Sequence, residues 1–144
     1  MTQKDKELLL KDLCARLPYN PLVEYKGESY NVLGIAHGRL VLCKPFMSYT
    51  LKENPLVEEV KTYLFPLSSM TEEQRQEFLS VAGYERREED CGRHTETYYY
   101  DMVGHEHNFY PNSDAIDWLN KNHFDYRGLI PMELAIDASG LNVY

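Results

Sequence analysis

Three β-prone runs joined by very short turns constrain this chain more than any other feature. Leu22-Val-Glu-Tyr25 and Ser29-Tyr-Asn-Val-Leu-Gly-Ile35 flank Lys26-Gly27-Glu28, and His37-Gly38 leads into Arg39-Leu-Val-Leu-Cys43. Turns this short cannot cross a sheet, so consecutive strands must pair antiparallel as a meander. Pro45 then ends the third strand.

The rest of the chain supplies helices and further strands around that meander. Thr2, with Asp5 three residues on, caps a helix over residues 3–16, and Pro18 stops it. Leu9, Leu10, Leu13, Cys14 and Leu17 recur at helical spacing and predict its buried stripe, with Cys14 as a small core residue. Segment 57–65 alternates Val60, Thr62 and Leu64 against Lys61 and Tyr63, which favours a fourth strand, although its glutamates also permit a helix. Thr71 with Gln74 forms a capping box for a helix running to about Val81, with Glu72 and Glu73 in its first turn and Gly83 beyond its end. The charged run from Glu85 to Arg93 reads as a solvated loop or frayed helix end, whereas residues 95–103 are strongly β-prone. A last helix spans about Ser113 to Asn122, capped by Asn112 or Ser113, with Ala115, Ile116 and Leu119 inward and Trp118 at the edge. Leu134-Ala-Ile136 forms a short strand or turn. These elements predict one α+β domain over residues 1–144. Its three helices lie on an antiparallel sheet of about four or five strands, open to curling toward a small barrel.

Composition narrows function by exclusion. No apolar run approaches the roughly 18–20 residues a membrane helix needs, and the polar N-terminus lacks a signal-peptide core, so a cytoplasmic protein is expected. The three cysteines, Cys14, Cys43 and Cys91, are too few and odd in number for a disulfide framework. Residues 1–50 carry a net charge of +2 and residues 51–144 a net of −10. That acidic majority repels phosphates and disfavours nucleic acid, leaving Lys26, Arg39 and Lys44 as the one basic surface on which such binding would rest. Acidic surface instead suits solubility, a basic protein partner or mimicry of nucleic acid.

Candidate chemistry is sparse. In His105-Glu106-His107 the two imidazoles of a strand would share a face, and His94, His123 or Asp101 could complete a metal site. A metal-assisted hydrolase follows from that reading; ordinary surface histidines are the simpler alternative. Ser68-Ser69 lacks a nucleophile elbow and suits a helix entrance. Cys91 has Arg93 and His94 nearby to lower its pKa, but Glu88, Glu89 and Asp90 oppose ionisation. No phosphate-binding glycine loop is present and no cofactor is implied. Tyr98, Tyr99 and Tyr100 offer stacking surface without basic companions.

The densest polar and aromatic stretch runs from Asp114 to Ile130. In one reading Trp118, Tyr126 and Arg127 anchor a protein partner, because interface hot spots favour these residue types. In the other they form an internal clamp. Arg127 then pairs with Asp125 or a sheet carboxylate, His123 caps helix-end carbonyls and Phe124 plugs the core.

Two blocks carry a family resemblance. Trp118-Leu-Asn-Lys-Asn-His-Phe-Asp-Tyr-Arg-Gly-Leu-Ile130 resembles the C-terminal signature of small uncharacterised proteins from gut-bacterial phages and mobile elements. Pro66-Leu-Ser-Ser-Met-Thr-Glu-Glu73 resembles their middle block. In that family a glycine often stands where this chain has Glu133. The resemblance implies a mobile-element setting and supplies no activity and no catalytic residue. Sequence alone therefore favours a non-enzymatic accessory protein that binds a protein partner.

Overall fold

The computed structural model describes residues 1–90, 92, 95–101 and 112–144, with strand residues 84–90 and 95–101 described by their backbone. The chain divides into two compact units, Met1–Ser69 with Asn120–Tyr144, and Met70–Leu119.

The first unit opens with helix α1, Gln3–Arg16, closed at its start by the Thr2–Asp5 capping box. The meander follows as β1 (Leu22–Tyr25), β2 (Glu28–Ala36) and β3 (Arg39–Cys43). Both turns place two successive residues at positive φ, Lys26-Gly27 and His37-Gly38. That backbone matches the right-handed twist of the strands it joins. A bulge between Val32 and Gly34 interrupts the β2–β3 register. After a 3-10 turn at Val57–Glu59, β4 (Lys61–Pro66) pairs antiparallel with β1.

Two further strands are short and parallel to β4. The strand β8 (Ala135–Asp137) pairs with Thr62–Leu64, and β7 (Phe124–Asp125) pairs with Phe65 and Pro66. The sheet thus has six strands in the order β3-β2-β1-β4-β7 with β8 on β4, mostly antiparallel but not purely so. It exceeds the four or five antiparallel strands expected, and it does not close into a barrel. Parallel neighbours need a long crossover. Residues 67–123 supply it between β4 and β7, and the whole second unit lies within that crossover.

Leu9 and Leu13 of α1 join Val23, Val32, Leu40 and Leu42 of the meander in one core, completed from the C-terminal segment by Leu129 and Leu134. The helix face differs from the one expected. Leu9, Asp12, Leu13 and Arg16 are its buried residues, and Cys14 is exposed. Positions 9, 12, 13 and 16 follow the 3.6-residue period, so the helix is turned to bury an acid and a base in place of Leu10 and Cys14.

The second unit begins with α2 (Glu72–Val81), whose Thr71 hydroxyl and Gln74 side chain cap it reciprocally. Gly83 at φ +79° ends it. A hairpin of β5 (Tyr84–Asp90) and β6 (Thr95–Asp101) follows. The expected loop at 85–93 is therefore largely a strand. Its charged residues resist β structure alone, but a full register with the β-prone Thr95–Asp101 overrides that preference. Helix α3 (Ser113–Lys121) starts in this unit, and its N-cap is Asn112, whose side-chain oxygen accepts from the Ala115 amide at 2.8 Å.

Candidate binding surface

The polar stretch after α3 is tied to α1 in the first unit. Asp12 and Arg16, one helical turn apart, are both fully buried. Arg16 donates from Nε and Nη2 to the two Asp12 oxygens at 2.8 and 3.0 Å, and from Nη2 to the Phe124 carbonyl at 2.8 Å. Arg127 Nε donates to Asp12 Oδ1 at 3.1 Å, and its Nη2 to the Tyr126 hydroxyl at 2.8 Å. That hydroxyl donates onward to Asn120 Oδ1 at 3.0 Å. The Tyr126 ring lies 5.5 Å from the Arg16 guanidinium and 4.7 Å from that of Arg127. A carboxylate held by two guanidiniums is the fork geometry arginine favours when buried. Asp125, proposed from sequence as a partner of Arg127, instead accepts from the Leu129 and Ile130 amides at 2.9 and 2.8 Å and fixes the turn into the C-terminal segment.

The residues anticipated as anchors therefore have defined places. Tyr126 and Arg127 come together and point their polar groups inward. Trp118 is buried in the second unit, with its ring 5.4 Å from Phe78. Phe124 fills the core as expected of a plug. His123 does not cap carbonyls with its ring, which stacks on Tyr144 at 3.8 Å. Its Nδ1 has no hydrogen-bond partner. Burial, with the Arg16 charge nearby, pushes the His123 pKa down to about 4, so this imidazole is neutral at physiological pH. Nearly half of Tyr144 is exposed (45%), but its hydroxyl is enclosed, donating to the Tyr63 carbonyl and accepting from the Leu22 amide. Burial of that end holds its pKa up to about 12. His105 and His107, with Cys91 and His94, lie outside the described residues; among the described residues no cluster of three metal-ligating side chains occurs.

The most exposed large hydrophobic side chain among the described residues lies elsewhere, in the loop after β3. A Cys43–Thr50 bridge and a Leu51 amide donating to the Leu42 carbonyl at 2.7 Å close that loop on itself. Within it, the Met47 amide donates to the Lys44 carbonyl at 3.0 Å. Pro45 takes the second position of this turn and Phe46 the third, at φ +64°. Positive φ at the third position marks a type II turn, where glycine is the usual occupant. Phe46 is completely exposed, and Met47 and Tyr49 beside it are at least half exposed.

The loop borders two clefts. Pro45 and Phe46 line one of about 410 Å³ together with Tyr19, Asn20, His123 and Tyr144. Residues 49–53 line the other, of about 460 Å³, with Tyr25, Lys26, Glu28 and Tyr30 from the first hairpin. In this second cleft two tyrosines are arranged alike. Tyr25 donates to Glu53 at 2.9 Å, and Lys26 reaches the same oxygen at 2.7 Å. Tyr30 donates to Glu28 at 2.6 Å, and Lys44 lies 3.0 Å from that oxygen. These contacts hold Glu53 and Glu28 below the usual carboxylate range, through Lys26 and Tyr25 for the first and Tyr30 and Lys44 for the second. Both carboxylates are therefore ionised at neutral pH.

Sequence reasoning passed over this surface. Lys26 and Lys44 were conspicuous only as cations for nucleic acid, yet each is committed to a glutamate. The signal that existed was a proline followed by three exposed large side chains, Phe46, Met47 and Tyr49, in a segment with no helical or strand period. The chain matches no protein-family model, no curated protein and no solved structure.

Proposed function

We propose that this chain is a non-enzymatic accessory protein, of the phage or mobile-element kind its C-terminal block resembles, that binds a protein partner through the loop at residues 44–53. The observation that carries this reading is Phe46. A bulky aromatic at positive φ costs about 1–2 kcal/mol relative to the favoured backbone regions. Complete exposure returns no packing for that cost. Strain of this kind concentrates at sites of function, and exposed aromatic and methionine side chains are the usual core of an interface. The clamp of Asp12, Arg16, Tyr126 and Arg127 serves this surface indirectly, by fixing the segment that brings His123 to one cleft wall.

Phe46→Gly separates function from folding, because glycine relieves the backbone strain as it removes the contact. The variant is expected to be as stable as the parent or up to about 1 kcal/mol more so. In affinity capture from gut-bacterial lysate it should lose a protein that the parent retains, while Glu133→Gly, remote in sequence from the loop, keeps it. Equal capture by Phe46→Gly and the parent would sink the proposal.

A further inference from the structure

The cleft of about 410 Å³ bordered by Pro45 and Phe46 is uncharged: among the described residues no side-chain carboxylate, ammonium or guanidinium lines it. Its walls carry the rings of Tyr19, Phe46 and Tyr144, with the carboxamides of Asn20 and Asn31 beside them. A charged group entering it would lose hydration and gain no counter-charge, so the cleft favours an uncharged occupant.

His123 gives that occupant a polar requirement. The residue is nine-tenths buried, and its Nδ1 is enclosed without a partner. Nε2 has no hydrogen bond among the described residues either, but it is not sealed in; it is the nitrogen through which His123 meets the cleft. Burial keeps this imidazole neutral, so one nitrogen holds the proton and the other a lone pair. An enclosed N–H without an acceptor is rarer than an enclosed acceptor without a donor. The proton therefore sits on Nε2, and His123 presents an unused N–H donor to an aromatic cleft.

Granted the protein-binding reading above, we infer that this cleft receives a tyrosine side chain of the partner, whose hydroxyl accepts from His123 Nε2 while its ring lies against the aromatic walls. Other side chains meet only part of the requirement. Phenylalanine suits the walls and leaves the His123 donor unpaired. Tryptophan brings an indole N–H that can only donate, so donor would face donor. Aspartate, glutamate, lysine and arginine bring an uncompensated charge. A phenol accepts and donates at one oxygen, and its own proton can pass to the carboxamide oxygen of Asn20 or Asn31. Tyrosine is also among the residues that most often anchor an interface from within a pocket.

Nitrogen-15 NMR of the full chain should find the His123 proton on Nε2. A proton on Nδ1 would overturn the inference, because the cleft would then offer an acceptor. The binding probe is p-cresol, which is the tyrosine side chain as a free molecule, titrated beside toluene and 3-methylindole. It should shift the backbone amides of Tyr19, Asn20 and His123 and bind about threefold or more tighter than either. Toluene binding as well as p-cresol would overturn the inference in favour of an apolar occupant. Equal binding by 3-methylindole would favour a donor instead, and amides unmoved by p-cresol would overturn it outright. His123→Asn tolerates the backbone at φ +60° and removes Nε2, so p-cresol should fall to the level of toluene and capture of the partner should weaken. Undiminished p-cresol binding by this variant would overturn the site. Undiminished capture would replace the partner's tyrosine with a free phenol. The comparison of probes on the parent chain decides the matter even where the variant does not fold. Capture that depends on His123 but not on Phe46 would leave the cleft standing and remove the loop reading. Capture that depends on Phe46 while p-cresol moves nothing would remove the tyrosine site alone.

Discussion

Removing the carboxylate of Asp12 leaves the Arg16 guanidinium fully buried with only the Phe124 carbonyl to bond it, and its Nη1 already lacks a partner. Breaking a buried pair from one side costs about 3–5 kcal/mol, whereas exchanging both members for apolar residues is often neutral. Asp12→Ala should therefore lower the urea-unfolding free energy by that amount, and Asp12→Leu with Arg16→Met should recover most of it. His123 gives a second prediction, in pH. Its pKa in the folded protein is about 4, below the 6.5 of the unfolded chain. Above pH 6.5 it contributes no pH dependence. As pH falls below that value the unfolded state takes the proton first, and stability declines until about pH 4, by up to about 3 kcal/mol. His123→Asn tolerates the same left-handed backbone and cannot titrate, so its stability should fall less steeply between those limits; an unchanged slope would assign the acid sensitivity to other groups. Neither feature was fully legible in the sequence. Hydropathy assigns charged residues outward and gives no sign that Asp12 and Arg16 are buried, which only their mutual satisfaction allows. Arg127 was rightly suspected of pairing internally, but its carboxylate came from a helix over a hundred residues away.

At the scale of elements, local signals succeeded where the cause is local. The two tight turns, both helix caps and the order β1, β2, β3 follow from residues within a few positions of one another, and all are found where the sequence puts them. Pairing decided the remainder. Strand β5 is too charged to be a strand except opposite β6, and β7, at two residues, exists only because β4 lies beside it. The candidate surface failed for the same reason, since it joins hairpin tyrosines to a loop that has no period of its own. Glu133 stands at φ +60°, a left-handed backbone that favours glycine. It is exposed, so Glu133→Gly should raise the unfolding free energy by about 0.5–1 kcal/mol. A loss of stability would show that its side chain has a role the backbone does not explain.

Taken whole, the molecule uses one long crossover to join two neighbouring strands, and its second unit is carried on that connection. The sheet unit holds the buried clamp, both clefts and the Phe46 turn, while the sequence outside residues 1–50 supplies the net negative charge. The most direct test of the loop as the binding surface is hydrogen–deuterium exchange of the chain, free and in complex with the protein it captures. Slowed exchange concentrated in residues 44–53 and in the hairpin turn at Lys26–Glu28 is the predicted result. Exchange there identical to that of the free chain, with protection appearing at residues 112–122 or 126–130 instead, would contradict it and return the interface to the Trp118, Tyr126 and Arg127 region.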